Sequence, residues 1–559
     1  MTESLFTEYL SWDPALATQV GFHKYDHKLR DPTRRAYGHQ AERLSEFISR
    51  LSGLSADGMT DDQALDREFA LHLFRLRRFE IESLRRHEKA SFAATELGNS
   101  LFLLFMRERP SVDVRLEAIA ARMEAAPQFL ERSRETLTRP YRRWNEILLE
   151  TGERMPRFLK ELQEDFATRP VGRDALQRLA KAVREATSAL EEHNRWMRTD
   201  IIPRSSGEVS GAGRDLYREY LRLQAFGVTL EEALSIGQLC LDRVNAQKAD
   251  LALKIVGNAN VPDAVAMMRA DHASDFDGVL KEYRESVLKA RGFVQDRGLV
   301  TIPEGERLVV VPTPSYMAHV VPYAAQYEPG KYDEDMTGHF FVTPDQDNPA
   351  TLEEHNHAAV VNTAVHEGYP GHHLHGICAN KNPSRLRALY SSPDFAEGWG
   401  LYCEEMMLSQ GYCDSPLGRL TVLNDLGFRI ARQICDVKIA IGEMSIEQAA
   451  EFLAKESGTD AQAAISEAKA MTLAPTYYVS YFIGKLGVLQ MLDDAKALLG
   501  ERFGLRFFHD SLIYAGCMPM PFMRRALALR IRDKFELELG PPRESVFEYA
   551  LRTMPSRIA

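Results

Sequence analysis

The sequence predicts a mainly α-helical chain, two helical lobes around a deep cleft, with one small β-sheet beside a histidine-bearing helix. Three observations lead to that class. Apolar residues recur at three and four positions over most of the 559 residues, which is the mark of amphipathic helices. Strand-like runs are confined to residues 300–345. A break in composition near residue 205 sets off a glycine-poor first lobe, 1–205, from a second lobe, 206–559.

Bulk properties narrow the function classes. A 45% hydrophobic and 27% charged composition is that of a globular protein. The net charge of −11, with basic residues scattered among acidic ones, offers no basic patch for nucleic acid. No stretch is apolar for the eighteen or so residues that a membrane helix needs. The six cysteines lie far apart with no C-x-x-C pair, which argues against a thiolate zinc site and against a disulfide framework. Met1-Thr2-Glu3-Ser4-Leu5 lacks the start of a secretory leader. A reducing compartment, the cytoplasm, is expected.

In chain order, Leu65-Phe69-Leu73-Leu76 and Phe158-Leu159-Leu162-Phe166 carry the helical period of the first lobe. Pro110, Pro127, Pro140 and Pro170 fall where helices should end or kink. Arg75, Arg77, Arg78, Arg85 and Arg86 alternate with acidic residues and read as a solvated face. Residues Ser205 to Gly213 form a glycine- and serine-rich linker without the Gly-Lys-Ser/Thr ending of a phosphate loop. Thr229-Leu230-Glu231-Glu232 is a capping box that opens a long helix, and another helix should cover Pro262 to Arg291. Leu308-Val309-Val310-Val311 and Gly338-His339-Phe340-Phe341-Val342-Thr343 read as two strands. An extended ligand can add to a sheet edge as a further strand, so Gly338 and Phe340 are substrate-binding candidates; a purely structural hairpin is the other reading. After Gly411 helices resume, with a capping box at Ser445-Ile446-Glu447-Gln448 and an aromatic segment Tyr477-Tyr478-Val479-Ser480-Tyr481 before Gly484.

The densest chemistry lies in Val365-His366-Glu367-Gly368-Tyr369-Pro370-Gly371-His372-His373-Leu374-His375. Thr351-Leu352-Glu353-Glu354 caps the helix that leads into it. Asp394-Phe395-Ala396-Glu397-Gly398-Trp399 adds a carboxylate 25 positions after His372. Two imidazoles and a carboxylate suit a catalytic zinc, and Glu367 beside His366 suits a general base. In the common H-E-x-x-H form two histidines four apart share one helical face, but position 370 is proline. On a straight helix His372 is rotated by about 600° from His366, and His373 lies about 10.5 Å further along the axis. The helix must therefore break, and Pro370-Gly371 is suited to it. A two-residue excursion should return His372 or His373 to the ligand position. Asp394 could also cap a helix with Glu397 closing the box. Glu404, two turns beyond Glu397, is placed to orient a ligand histidine. His355 is too far along the helix to share the ion, and His375 suits a hydrogen-bonded structural role.

Gly371-His372-His373-Leu374-His375-Gly376 resembles the tail of the metal box of thimet-type oligopeptidases, with two residues inserted after His-Glu. Together with Glu397-Gly398-Trp399-Gly400-Leu401-Tyr402, the segment His366 to His373 more closely resembles a bacterial family of unassigned function grouped with the gluzincin peptidases. That resemblance implies His366, His372 and Glu397 as zinc ligands and Glu367 as general base, then acid. His373 is the alternative ligand and otherwise a substrate-binding residue. It also implies tyrosine donors for the developing oxyanion, with Tyr481 first and Tyr477 and Tyr478 behind it; His509 is a weaker candidate. Pro475-Thr476-Tyr477 departs from the Pro-Gly-Gln more usual in the family, which leaves the contacting side chain open. The expected activity is hydrolysis of short peptides. Rival readings are a metal hydrolase of non-peptide bonds and a helical binding protein with a degenerate metal box.

Overall fold

The structure, a computed structural model, describes residues 2–107, 110–206, 213–313, 323–343 and 351–557. It is mainly α, and the described strands form a single three-stranded sheet. The first 200 residues run through helices that include Asp61–Phe79, Val112–Ser133, Arg142–Thr168 and Arg173–Trp196. Leu65, Phe69, Leu73 and Leu76 are all buried, as are Phe158, Leu159, Leu162 and Phe166, so the period seen in the sequence is the packing face. Pro110, Pro140 and Pro170 lie between helices, whereas Val112–Ser133 runs straight through Pro127. An interior proline costs about 3 kcal/mol or more. Burying Met123, Ala126, Phe129 and Leu130 around it returns about 1.5–3 kcal/mol for each large side chain, so packing overrides the break.

Hydrophobic clusters cross residue 205. Leu65 and Phe69 join the large core built from residues beyond 215, while Leu386 and Leu389 pack with Leu5, Phe47 and Phe74. The glycine-rich linker lies for the most part outside the described residues. The expected capping boxes form at Thr229–Glu232 and Ser445–Gln448. The helix expected over Pro262–Arg291 is two helices, Val261–Arg269 and Phe276–Asp296, because Asp275 caps the second one through Gly278 N.

The sheet comprises β1 (Arg307–Pro312), β2 (Ala324–Tyr327) and β3 (Thr337–Val342), in the order β1-β3-β2. β1 runs parallel to β3, with Val310 opposite Phe340, and β2 runs antiparallel to it, with Gln326 opposite Phe340. β2 was not expected; it is four residues long and carries no alternation strong enough to mark it.

Five helices build the neighbourhood of the histidines: α1 (His357–Thr363), α2 (His372–Asn380), α3 (Pro393–Ser409), α4 (Pro416–Ala440) and α5 (Val479–Leu499). The helix expected to start at Thr351 stops at Glu354, and Asn356 caps α1 afresh through Ala359 N. α3 and α5 cross at two glycines: a Cβ on Gly398 would lie 2.6 Å from the Gly484 Cα, and one on Gly484 would meet the Asp394 carbonyl. Only glycine allows backbones this close, and the crossing brings the tyrosines that precede and open α5 over Glu397 on α3. No helix among the described residues is long and apolar enough to cross a membrane.

Candidate metal centre

The segment from α1 to α2 breaks where the sequence indicates. α1 widens into a π-helical turn over Ala364–Gly368, Tyr369 is extended, the Tyr369–Pro370 bond is cis, and α2 starts at His372. Trp399 Nε1 donates to the Pro370 carbonyl at 2.9 Å and pins the break to α3. The excursion brings the rings of His366 and His372 to 4.7 Å between centroids, at 89° to each other.

Donor atoms of His366, Glu367 and His372 lie within 4.8 Å of one another. Glu397 Oε2 faces the same spot, 3.8 Å from His366 Nε2 and 3.4 Å from His372 Nε2. A tetrahedral zinc with bonds of about 2.0–2.1 Å separates its ligands by about 3.4 Å, so these spacings fit two imidazoles and one carboxylate around a single ion. Both carboxylates thus reach the imidazole pair, and their other contacts tell them apart. Glu397 sends one oxygen to both imidazoles and takes a 2.8 Å bond from Tyr477 on the other, whereas Glu367 stands beside the spot and, among the described residues, bonds neither imidazole.

Glu404 Oε1 lies 2.7 Å from His366 Nδ1, which leaves Nε2 as the nitrogen facing the centre. Burial alone would lower His366, but Glu397, Glu404 and Glu367 hold it up to about 10 in the metal-free chain. His372 moves up as well, because Glu397 overcomes its burial. Glu397 itself is driven well below the usual carboxylate range, its burial overcome by the two imidazoles. The carboxylates thus favour positive charge at this spot, and a metal bound there would take the place of protons on the imidazoles. Asp394 does not cap α3 with Glu397; it is buried, accepts from Phe395 N, Ser392 Oγ and Met520 N, and leaves Glu397 free.

The tyrosines separate by role. The Tyr477 hydroxyl donates to Glu397 Oε1, and Tyr481 stands behind it with its hydroxyl 3.4 Å from that of Tyr477. The charge on Glu397, with burial, raises the Tyr477 phenol well above its ordinary value and keeps it a donor. Tyr478 is a correction: its ring is buried beside Ala431, Cys435 and Arg432, and its backbone N–H bonds Asp436, so it belongs to the core. Asp436 also accepts from Thr476 N and so sets the turn that presents Tyr477.

The substrate-binding expectation for Gly338, Phe340 and His373 is also corrected. β3 is the middle strand, paired on both sides, so it has no edge to offer. Phe340 is fully buried against Tyr283, and a Cβ on Gly338 would press into the His373 ring. His373 turns away from His366: its Nε2 sits 2.9 Å from Glu306 Oε2, which also accepts from Tyr369 Oη at 2.6 Å while Arg291 holds Oε1. His375 bonds the Gly516 carbonyl, His355 faces Tyr283, and His509 lies between Tyr402 and the Leu299 carbonyl. Sequence reasoning missed Glu306 and Asp436. The one signal for Glu306 was a charged residue placed directly before a strand-like apolar run.

A family profile described as "Bacterial protein of unknown function (DUF885)" matches residues 14–527, and the chain belongs to that family. No curated protein matches it. Among solved structures, a candidate lipoprotein of unknown function from Shewanella oneidensis is 21% identical with a TM-score of 0.77, covering 94% of this chain and 98% of that one. A candidate lipoprotein from Colwellia psychrerythraea is 15% identical with a TM-score of 0.82, over 95% and 98%. They share the fold.

Proposed function

We propose that the chain is a zinc-dependent peptidase of the gluzincin type that hydrolyses short peptides. The observation that carries this reading is the Glu397 oxygen facing both imidazole Nε2 atoms, with Glu367 beside the same spot. His366, His372 and Glu397 would hold the metal. A bound zinc supplies Lewis acidity toward a carbonyl and lowers the pKa of water. Glu367 then takes a proton from the attacking water and returns it to the leaving amine. Tyr477, backed by Tyr481, would turn its one hydroxyl proton from Glu397 to the oxygen on which charge develops. β2, an outer strand whose Gln326 lines the cavity at His372 and Glu397, takes over from β3 as the edge for an extended substrate.

Metal analysis of the purified chain and a mixed peptide library test the reading together. The parent should hold about one zinc per chain and cleave peptides, and Glu367→Gln should keep the metal and lose cleavage. A Glu367→Gln variant as active as the parent would remove the base assignment. All six cysteines are free and five are buried, which supports a reducing compartment and the cytoplasm. The lipoprotein descriptions belong to the two solved relatives, and fractionation of cells would distinguish the two locations.

A further inference from the structure

One carboxyl group at the centre is held by no partner among the described residues; burial pushes its pKa up, and the charges of His372 and Arg107 act against that rise. Glu328, directly after β2, is exposed into a cavity of about 330 Å³ that also exposes His372 and Glu397. Among the described residues its carboxylate has no hydrogen bond and no ion pair. The cations nearby are engaged elsewhere, His372 first among them, which faces Glu397. Arg107 is held by Asp333 and the Gln19 carbonyl, Arg387 by Asp66 and Asp62, and Lys331 by the carbonyls of Asn380 and Asn382. A carboxylate at the wall of a confined cavity is costly to leave unpaired.

The backbone is shaped around it. The Glu328 side chain lies across Gly376, where a Cβ would sit 2.6 Å from its Cδ and 3.3 Å from its Cβ and would collide with Oε2. Gly376 is four residues after His372 on α2, so the two positions are neighbours on one helical face, about 5–6 Å apart. An extended peptide advances about 3.3–3.6 Å per residue. A substrate whose carbonyl lies at the metal centre therefore brings the next one or two residues to Glu328.

We infer that Glu328 recognises a positive charge on the substrate, an ammonium or guanidinium one or two residues from the bond that is cut. A free amino terminus and a basic side chain present the same chemistry. This deepens the peptidase reading and rests on it for the cleavage arm alone.

The zinc-loaded parent is given matched peptides that differ in one charge: free against acetylated amino terminus, and lysine against norleucine within two residues of the cleaved bond. A charge-assisted contact predicts a preference in kcat/KM of about 10- to 100-fold for one cationic member, and the pair that shows it identifies the source. Glu328→Gln should abolish that ratio, Glu328→Lys should invert it, and Gly376→Ala should weaken it by displacing the carboxylate without changing charge. Equal rates in the parent, or a preference that survives in Glu328→Gln, would overturn the inference. Binding is read separately by calorimetry in a Glu367→Gln host with the same peptides. If the parent cleaves nothing but the host binds the cationic peptide through Glu328, the inference stands and the peptidase reading falls. If the host binds both members equally, the inference falls whatever the parent cleaves.

Discussion

Four histidines within one ten-residue segment, His366, His372, His373 and His375, end in two different environments. His366 and His372 are ringed by carboxylates and keep one nitrogen facing a common spot. His373 and His375 are committed to fixed interior partners, Glu306 and the Gly516 carbonyl. Burial acts alike on His366 and His375. It takes His375, bonded to a neutral carbonyl, down to about 4, while neighbouring carboxylates carry His366 up to about 10 despite it. What sets His366 and His372 apart is that each brings a nitrogen to one spot that Glu397 also faces, whereas His373 turns to Glu306 alone.

The sharpest way to break this division is to delete one member of each pair. His366→Ala or His372→Ala should reduce zinc from about one per chain to a trace and activity by about a thousandfold or more, since three protein ligands are the minimum set. His373→Ala should keep its zinc. It should instead lose about 1–3 kcal/mol of stability, because Glu306 stays buried with one partner fewer. Metal analysis and denaturant melts read the two outcomes. A His373→Ala chain that loses zinc while melting like the parent would put the ligand on the wrong histidine.

The same contrast extends to the tyrosines and to Glu404. Tyr477→Phe should lower kcat by about a hundredfold, the size of one lost oxyanion donor, with Tyr481→Phe costing less. Tyr478→Phe should stay within about twofold, and a large loss there would reverse the assignment of roles. Glu404→Gln should weaken zinc binding by about 10- to 100-fold in competition with a chelator, because it frees the His366 ring that Glu404 orients.

Much of this was legible in the sequence, and the part that was not has a common cause. The helical class, two of the three strands, the break at Pro370-Gly371 and the partnership of Glu404 follow from period, breaker residues and helical spacing, all of them local quantities. The choice between His372 and His373 is not local. It turns on Glu306, more than sixty residues upstream, which takes His373 into the core. The edge strand was misplaced for a similar reason: Phe340 and its neighbours read as a strand, but only the pairing of β2 shows that β3 is the middle one. Tyr481 stood first on its spacing to Gly484, and the turn set by Asp436 puts Tyr477 ahead of it.

The smallest effect separates the pairs by pH. His375 has a folded-state pKa of about 4 because burial disfavours its charge, against about 6.5 when unfolded. Between those values the unfolded chain binds a proton that the folded chain does not. The stability associated with this histidine is therefore complete above pH 6.5 and is lost as pH falls toward 4. At pH 5.5 the loss is about 1 kcal/mol. Melts of the metal-free chain, with chelator present so that loss of the ion does not enter, should show stability falling over this window. His375→Asn, neutral throughout and still able to donate to the Gly516 carbonyl, should make that slope shallower by about one proton. An unchanged slope would mean that His375 takes up its proton in the folded chain as readily as in water. His375 would then not differ from His366 in the way that a carbonyl partner differs from a carboxylate one.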